Sequence, residues 1–172
     1  AWMDYLSARD LIDSTTPRPL LANTLVIVAP ADRPFAIDLA AGAALPPALR
    51  TGRIAMGDPA SVPAGRYARE AFESLGLWDA VAPRIVRAQS VRDALRFVES
   101  GDATAGVVFA TDAKAASGRV VVIASFDPAT HTAISYPVAA RAGRADRAAP
   151  LLAHLESASA RELFSNSGFS AP

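Results

Sequence analysis

The sequence contains no cysteine. Disulfides and thiolate metal sites are therefore excluded, and an oxidising compartment is permitted without being required. Charge of one sign is also missing: 17 Lys and Arg balance 17 Asp and Glu over 172 residues. Nucleic-acid binders normally carry a basic excess, so no nucleic-acid partner is expected. A partner recognised by bulk charge is not expected either. Long apolar runs are absent. The best candidate, Leu20 to Ala29, is interrupted by Asn23 and reaches about half a bilayer span, so no membrane insertion is expected. No signal-peptide pattern opens the sequence. Ala1-Trp2-Met3-Asp4 starts inside a helical pattern with neither an initiating Met nor a cap, and it reads as the start of a cut or incomplete chain.

Familiar catalytic patterns are missing as well. There is no phosphate loop, no dinucleotide glycine fingerprint and no nucleophile elbow. His131 and His154 have no metal-ligand spacing and read as two surface histidines. Asp58 and Asp112 each follow an expected strand, a position where a carboxylate can be catalytic but more often caps the adjacent turn.

Just over half of the residues are apolar, so a sizeable core is available. Trp2 to Ile12 reads as a helix, with Trp2, Tyr5, Leu6 and Leu11 on one side, and Ser14 to Pro19 as the break after it. Thr24 to Val28 is a β-branched strand. Asp32 to Pro47 is poorly periodic, with a short helix near Leu45 to Leu49. From Arg53 onward strands and helices alternate. Strands are expected at Arg53–Met56, Arg84–Arg87, Ala105–Phe109 and Arg119–Ala124. Helices are expected at Arg66–Leu75, Ser90–Glu99 and Thr111–Ala116. Ala68, Ala71, Phe72 and Leu75 share one helix face, and Val91, Ala94, Leu95 and Val98 share another. Gly76 and Gly101 stop these helices. Ser90 with Asp93 forms a capping-box pattern. A last strand at Ile134–Ala140 precedes two helices, near Pro150–Glu156 and Ser159–Phe164, the second with Ser159 and Glu162 as its capping box. This alternation predicts an α/β protein with a mostly parallel sheet covered on both faces.

One device recurs. A strand ends, a short loop follows, and a helix begins with unpaired N–H groups above the sheet edge, at Pro63-Ala64-Gly65 and again at Ser90-Val91. The first turn of a helix has free donors and the positive end of the helix dipole. Two such ends converging at the carboxyl ends of strands can hold an anion. Gly65 would let backbone approach a ligand closely. Every α/β protein has helix N-termini above its sheet, so this pattern alone leaves the function open.

Particular segments sharpen it. These are Trp2-Met3-Asp4-Tyr5-Leu6 through Leu11-Ile12-Asp13, then Leu21-Ala22-Asn23-Thr24-Leu25-Val26, then Gly57-Asp58-Pro59 and Val62-Pro63-Ala64-Gly65-Arg66-Tyr67-Ala68. Val91-Arg92-Asp93-Ala94-Leu95, Gly106-Val107-Val108-Phe109-Ala110-Thr111-Asp112-Ala113 and Tyr136-Pro137-Val138-Ala139 follow. In order and spacing this set resembles the molybdate-binding components of ATP-driven (ABC-type) molybdate importers, over essentially the whole chain. The stretch from Gly57 to Ala68 is the most specific part.

The resemblance implies a two-lobed periplasmic binding protein fold of type II, here with one lobe complete and one incomplete. Residues 25–132 would form the complete lobe, and residues 1–24 and 133–172 parts of the other. It implies a periplasmic protein that is not an enzyme, needs no cofactor, binds molybdate and tungstate, and delivers them to an ABC transporter membrane permease. The oxyanion would lie between the lobes on neutral hydrogen bonds, with molybdenum not coordinated directly by the protein. Ala64 and Val91 match positions that donate backbone N–H groups. Phe109 matches a position where some relatives place a tyrosine whose hydroxyl donates; phenylalanine has none. The remaining family donors are serines upstream of anything matching Trp2. Without those donors the chain as given is expected to bind molybdate weakly or not at all, and the exposure of Trp2, Leu6, Leu151, Leu155 and Phe164 is expected to cause self-association or poor solubility unless a separate N-terminal fragment or a swapped copy completes the lobe.

Two other functions compete. A ligand-sensing effector domain of a transcription regulator shares the fold and would need an upstream helix-turn-helix. A small α/β enzyme would need a nucleophile or acid–base set at the strand ends, where the sequence offers none.

Overall fold

The structure, a computed structural model, describes residues 2–40 and 44–172. Ala41–Ala43, inside the expected loop, and Ala1 lie outside the described residues. In chain order the elements are α1 (Trp2–Ser7), β1 (Arg18–Ala22), β2 (Leu25–Pro30), α2 (Pro47–Thr51), β3 (Ile54–Gly57), α3 (Pro63–Ser74), α4 (Trp78–Val81) and β4 (Ile85–Ala88). After them come α5 (Val91–Glu99), β5 (Ala105–Phe109), α6 (Ala110–Ala115), β6 (Val120–Ser125), β7 (Ser135–Val138), α7 (Ala145–Leu155) and α8 (Ala158–Asn166). The chain folds into two compact units, Thr24–Ala133 and Ala1–Asn23 with Ile134–Pro172.

The larger unit is built on a five-stranded sheet of order β4-β3-β5-β2-β6. β3 runs parallel to both β4 and β5, whereas β2 is antiparallel to both β5 and β6. Four strands thus share one direction and β2 alone is reversed, so the sheet is mostly parallel in strand direction, with its antiparallel pairs confined to β2. All six residues of β2 are buried, as are all four of β3, because both lie inside the sheet with cover on either face. α3 contributes Ala64, Ala68, Ala71 and Phe72, and Phe72 meets Phe126 edge to face at 5.2 Å between ring centroids. On α5 the buried residues are Ala94, Leu95 and Val98, which join Val26, Val28, Ala55 and Val108 in one core. Gly76 and Gly101 sit just beyond α3 and α5 at φ of +69° and +80°, where a helix commonly closes on a left-handed residue.

The smaller unit pairs β1 with β7 antiparallel. The sequence places β1 in a break because of its proline. In the ladder Pro19 stands opposite Pro137 beside a bulge, a position where neither ring has an N–H to donate. α1 ends at Ser7, well short of Ile12, which instead bridges to Arg141. α7 begins at Ala145 and takes Pro150 into its interior rather than starting there. Ser157, not Ser159, caps α8: its hydroxyl accepts from the N–H of Ala160 at 3.3 Å. The N–H of Asn23 donates to the carbonyl of Ile134 at 3.2 Å, and its side-chain amide to the Tyr136 hydroxyl at 3.1 Å. Trp2, Leu151 and Leu163 are more than half exposed, whereas Leu6, Leu155 and Phe164 are half-buried.

Candidate functional site

Register and direction define one edge of the larger unit. β4, β3 and β5 are neighbours and parallel, so their carboxyl ends line up. β4 leads through Gln89 and Ser90 into α5, β3 through residues 58–62 into α3, and β5 directly into α6. Val91, Ala64 and Phe109 therefore stand at the same edge in that lateral order. Neighbouring strands are about 4.8 Å apart, so the outer two of the three strands are about 10 Å apart. The structure thus brings all three candidate residues to one edge of one unit.

Local chemistry sets each helix start. Pro63 opens α3 as its first residue, a position that needs no N–H and favours the proline φ. Ser90 caps α5: its hydroxyl accepts from the N–H of Asp93 at 3.1 Å and donates to the Asp93 carboxylate at 2.7 Å. This departs from the reciprocal capping box, in which the carboxyl side chain reaches back to the cap's backbone N–H. The first acceptor bonds of these helices run from Arg66 to Val62 and from Ala94 to Ser90. The N–H groups of Ala64 and Gly65 on α3, and of Val91 and Arg92 on α5, have no acceptor among the described residues. Ala64 is 1% exposed and Val91 half-buried. A buried N–H without an acceptor costs about 1–3 kcal/mol, so this edge is suited to receive one from outside the protein. The resemblance singles out one donor on each helix, Ala64 and Val91; Gly65 and Arg92 are second donors beside them, since any helix leaves its first N–H groups unpaired.

Gly65 also packs against the end of β3. A Cβ on it would meet the Gly57 carbonyl oxygen at 2.0 Å, and a Cβ on Gly57 would meet Val62 at 2.5 Å. The space these glycines leave is filled by protein backbone and by Val62, so they seat the start of α3 against the end of β3.

Phe109 is the half-buried N-cap of α6. Asp112, in the first turn of that helix, takes a hydrogen bond from the backbone of Phe109. Burial pushes its carboxyl pKa above the ordinary value, against the opposing effects of that hydrogen bond and the nearby positive Arg92. Asp58 accepts from the N–H of Ala60 at 3.0 Å. Both aspartates cap turns. Among the described residues no cluster of His, Asp or Glu could hold a metal. His154 is exposed, but His131 departs from the surface reading. It is half-buried beside Tyr67, with its Nδ1 at 2.8 Å from the Thr132 carbonyl and its Nε2 buried without a partner among the described residues. A cleft of about 440 Å³ along β4 is lined by Arg87, Gln89, Asp93 and Arg96, and a cavity of about 470 Å³ in the smaller unit by Leu155, Phe164 and Phe169. Neither contains Ala64, Val91 or Phe109.

The model of the family described as "Bacterial extracellular solute-binding protein" matches residues 1–170. The chain is 40% identical over 172 residues to "Molybdate-binding protein ModA" of Escherichia coli (strain K12), covering 98% of this chain and 66% of that one. It is 41% identical to the protein of the same name from Haemophilus influenzae, covering 99% and 67%. The chain thus spans about two thirds of the length of the curated relatives it matches. Among solved structures, the "substrate binding domain of putative molybdenum ABC transporter from Clostridium difficile" superposes with a TM-score of 0.83 at 30% identity, covering 99% of this chain and 72% of that one.

Proposed function

The chain belongs to the bacterial extracellular solute-binding protein family, has the α/β periplasmic binding protein fold and is not an enzyme, and on that premise we propose that it binds molybdate for an ABC transporter. The anion is taken in the periplasm and handed to the membrane permease. Tungstate, of the same charge and nearly the same size, binds as well. The ligand sits at the carboxyl edge of β4, β3 and β5, on the N–H groups of Ala64 and Val91. Phe109 borders the site without a hydroxyl to donate. The observation that supports this reading best is the pair of helix starts on adjacent parallel strands whose N–H groups have no acceptor among the described residues. Neutral donors hold an oxyanion through charge-assisted hydrogen bonds and the helix dipoles without any counter-ion. Among the described residues no helix is long and apolar enough to cross a membrane.

Titration calorimetry with sodium molybdate, sodium tungstate, sodium sulfate and sodium phosphate tests the reading. Saturable binding of molybdate and tungstate, with sulfate and phosphate at least about tenfold weaker, is the expected pattern. Binding of sulfate or phosphate with molybdate and tungstate no tighter overturns it.

A further inference from the structure

α3 carries Ala64 in its first turn, and the end of β3 lies against that turn at Gly65. A second hold on the helix is made by Tyr67 and Glu70, three residues apart and so neighbours on its surface. They meet the segment from Phe126 to Ala133, by which the chain leaves the larger unit. The first part of that segment is closed on itself. The Asp127 carboxylate accepts from the N–H of Ala129 at 2.9 Å, and the Thr130 hydroxyl donates to the Asp127 carbonyl at 2.6 Å. Thr132 belongs to no strand, and side chains hold its main chain instead. Its N–H donates to the Glu70 carboxylate at 2.7 Å. Its carbonyl lies 2.8 Å from Nδ1 of His131; a carbonyl only accepts, so that nitrogen carries the proton. The His131 ring rests beside Tyr67, with ring centroids 6.0 Å apart. Glu70 makes no ion pair among the described residues, whereas Glu73 on the same helix pairs with Arg69 at 2.8 Å.

We propose that Glu70 is a positioning residue of the anion site: its carboxylate oxygen ties α3 to the main chain of Thr132 and so keeps the first turn of the helix, with Ala64, in place at the end of β3. The proposal rests on the reading of Ala64 as an anion donor. The Gly57 carbonyl blocks the helix start from moving further onto β3. The bond to Thr132 keeps the helix from sliding or rolling away. Glu70 stands six residues beyond Ala64, about 9 Å along the axis, so it acts through the helix and not on the ligand. What it contributes is an acceptor oxygen. Its negative charge works against an anion, so losing the charge alone would strengthen binding, whereas losing the tie would weaken it. The two effects have opposite signs and can be told apart.

Glu70→Ala, Glu70→Gln and, as a control for charge on the same helix, Glu73→Ala test this beside the parent. Each is titrated with sodium molybdate, and the amide ¹⁵N–¹H spectrum and hydrogen exchange of each are recorded without ligand. Glu70→Ala is expected to weaken binding about fivefold, as the loss of one hydrogen bond would. Glu70→Gln keeps an oxygen for the Thr132 N–H without the charge, and its affinity is expected to equal or exceed that of the parent. Without ligand, Glu70→Ala is expected to speed exchange at the Thr132 amide and to shift the Ala64 and Gly65 amides, and Glu73→Ala to do neither. A Glu70→Ala variant with parental or tighter affinity overturns the proposal, and so does a Gln variant as weak as the Ala variant. Should Glu70→Ala not fold, the Thr132 amide of the Gln variant decides: retained protection supports the tie, and lost protection overturns it. The ligand-free spectra separate the two levels. A parent that binds no molybdate defeats the donor reading, while the Ala64 and Gly65 amides still report whether Glu70 positions α3; unmoved amides in Glu70→Ala defeat the positioning role alone.

Discussion

The main-chain carbonyl of Gly57 lies where the side chain of Gly65 would begin: a Cβ on Gly65 would stand 2.0 Å from that oxygen. The end of β3 and the third residue of α3 are in backbone contact, and this contact sets where the N–H groups of Ala64 and Gly65 stand relative to the sheet. The obstructing atom is backbone, which has no rotamer to give, so any side chain must displace the start of the helix.

Gly65→Ala is therefore expected to lower stability by about 1–3 kcal/mol, the range for forcing a methyl into a packed site. It should also weaken molybdate binding, because the helix start moves with it. Urea denaturation and calorimetry on the same sample check both. Gly118 has nothing within 4 Å of its would-be Cβ and a φ of +86°, so Gly118→Ala should cost stability through strain alone and leave affinity unchanged.

Asp112→Asn should change the pH dependence of stability. The folded-state pKa of Asp112 is raised, chiefly by burial. Its contribution is thus present below the ordinary carboxylate value and is lost as pH rises through the raised one. Asparagine does not titrate. The Tm of the Asn variant minus that of the parent should therefore become more positive between about pH 3 and about pH 7. A difference that moves the other way contradicts the direction assigned to Asp112.

The ion pair between Arg18 and Glu156 in the smaller unit carries the opposite sign. The Arg18 hydrogen bond holds the Glu156 carboxyl below its ordinary value. That contribution is present above the ordinary value and is lost as pH falls through the lowered one. Glu156→Gln should lower Tm slightly near neutrality and by less in acid. The gap should narrow in high salt, because both partners are solvent-accessible.

Phe109→Tyr is expected to preserve or improve molybdate affinity. Phe109 is half-buried at the carboxyl edge of β5, the edge where Ala64 and Val91 stand, so a tyrosine there is expected to add a donor to the site rather than remove one. A loss of about tenfold or more, measured by calorimetry, would show that the ring tip is packed instead.

What could be read from the sequence follows the physics of each element. α5 was legible because Ser90 caps it and Ala94, Leu95 and Val98 repeat at helical spacing. α4 was not, since Trp78–Val81 is a single turn too short to show a period. β1 was hidden by Pro19, which suits a strand only where no N–H is required. The reversed direction of β2 left no mark, because a run of six buried residues reads the same in either sense. At the site, periodicity located the helix starts but could not single out Ala64 and Val91; that step came from the resemblance. The contact of Gly65 with the Gly57 carbonyl leaves no mark in the sequence, because it depends on how the end of β3 meets the start of α3. The link between Asp112 and Phe109 was legible in part, as a turn-capping aspartate.

The central claim is that backbone N–H groups of Ala64 and Val91 hold the anion. Amide ¹⁵N–¹H spectra of the purified protein, recorded as sodium molybdate is added to saturation, test it most directly. The account predicts that the Ala64 and Val91 amides shift among the most of all resonances and become protected from hydrogen exchange, with Gly65 and Arg92 following. Saturable molybdate binding that leaves the Ala64 and Val91 amides unmoved would contradict it.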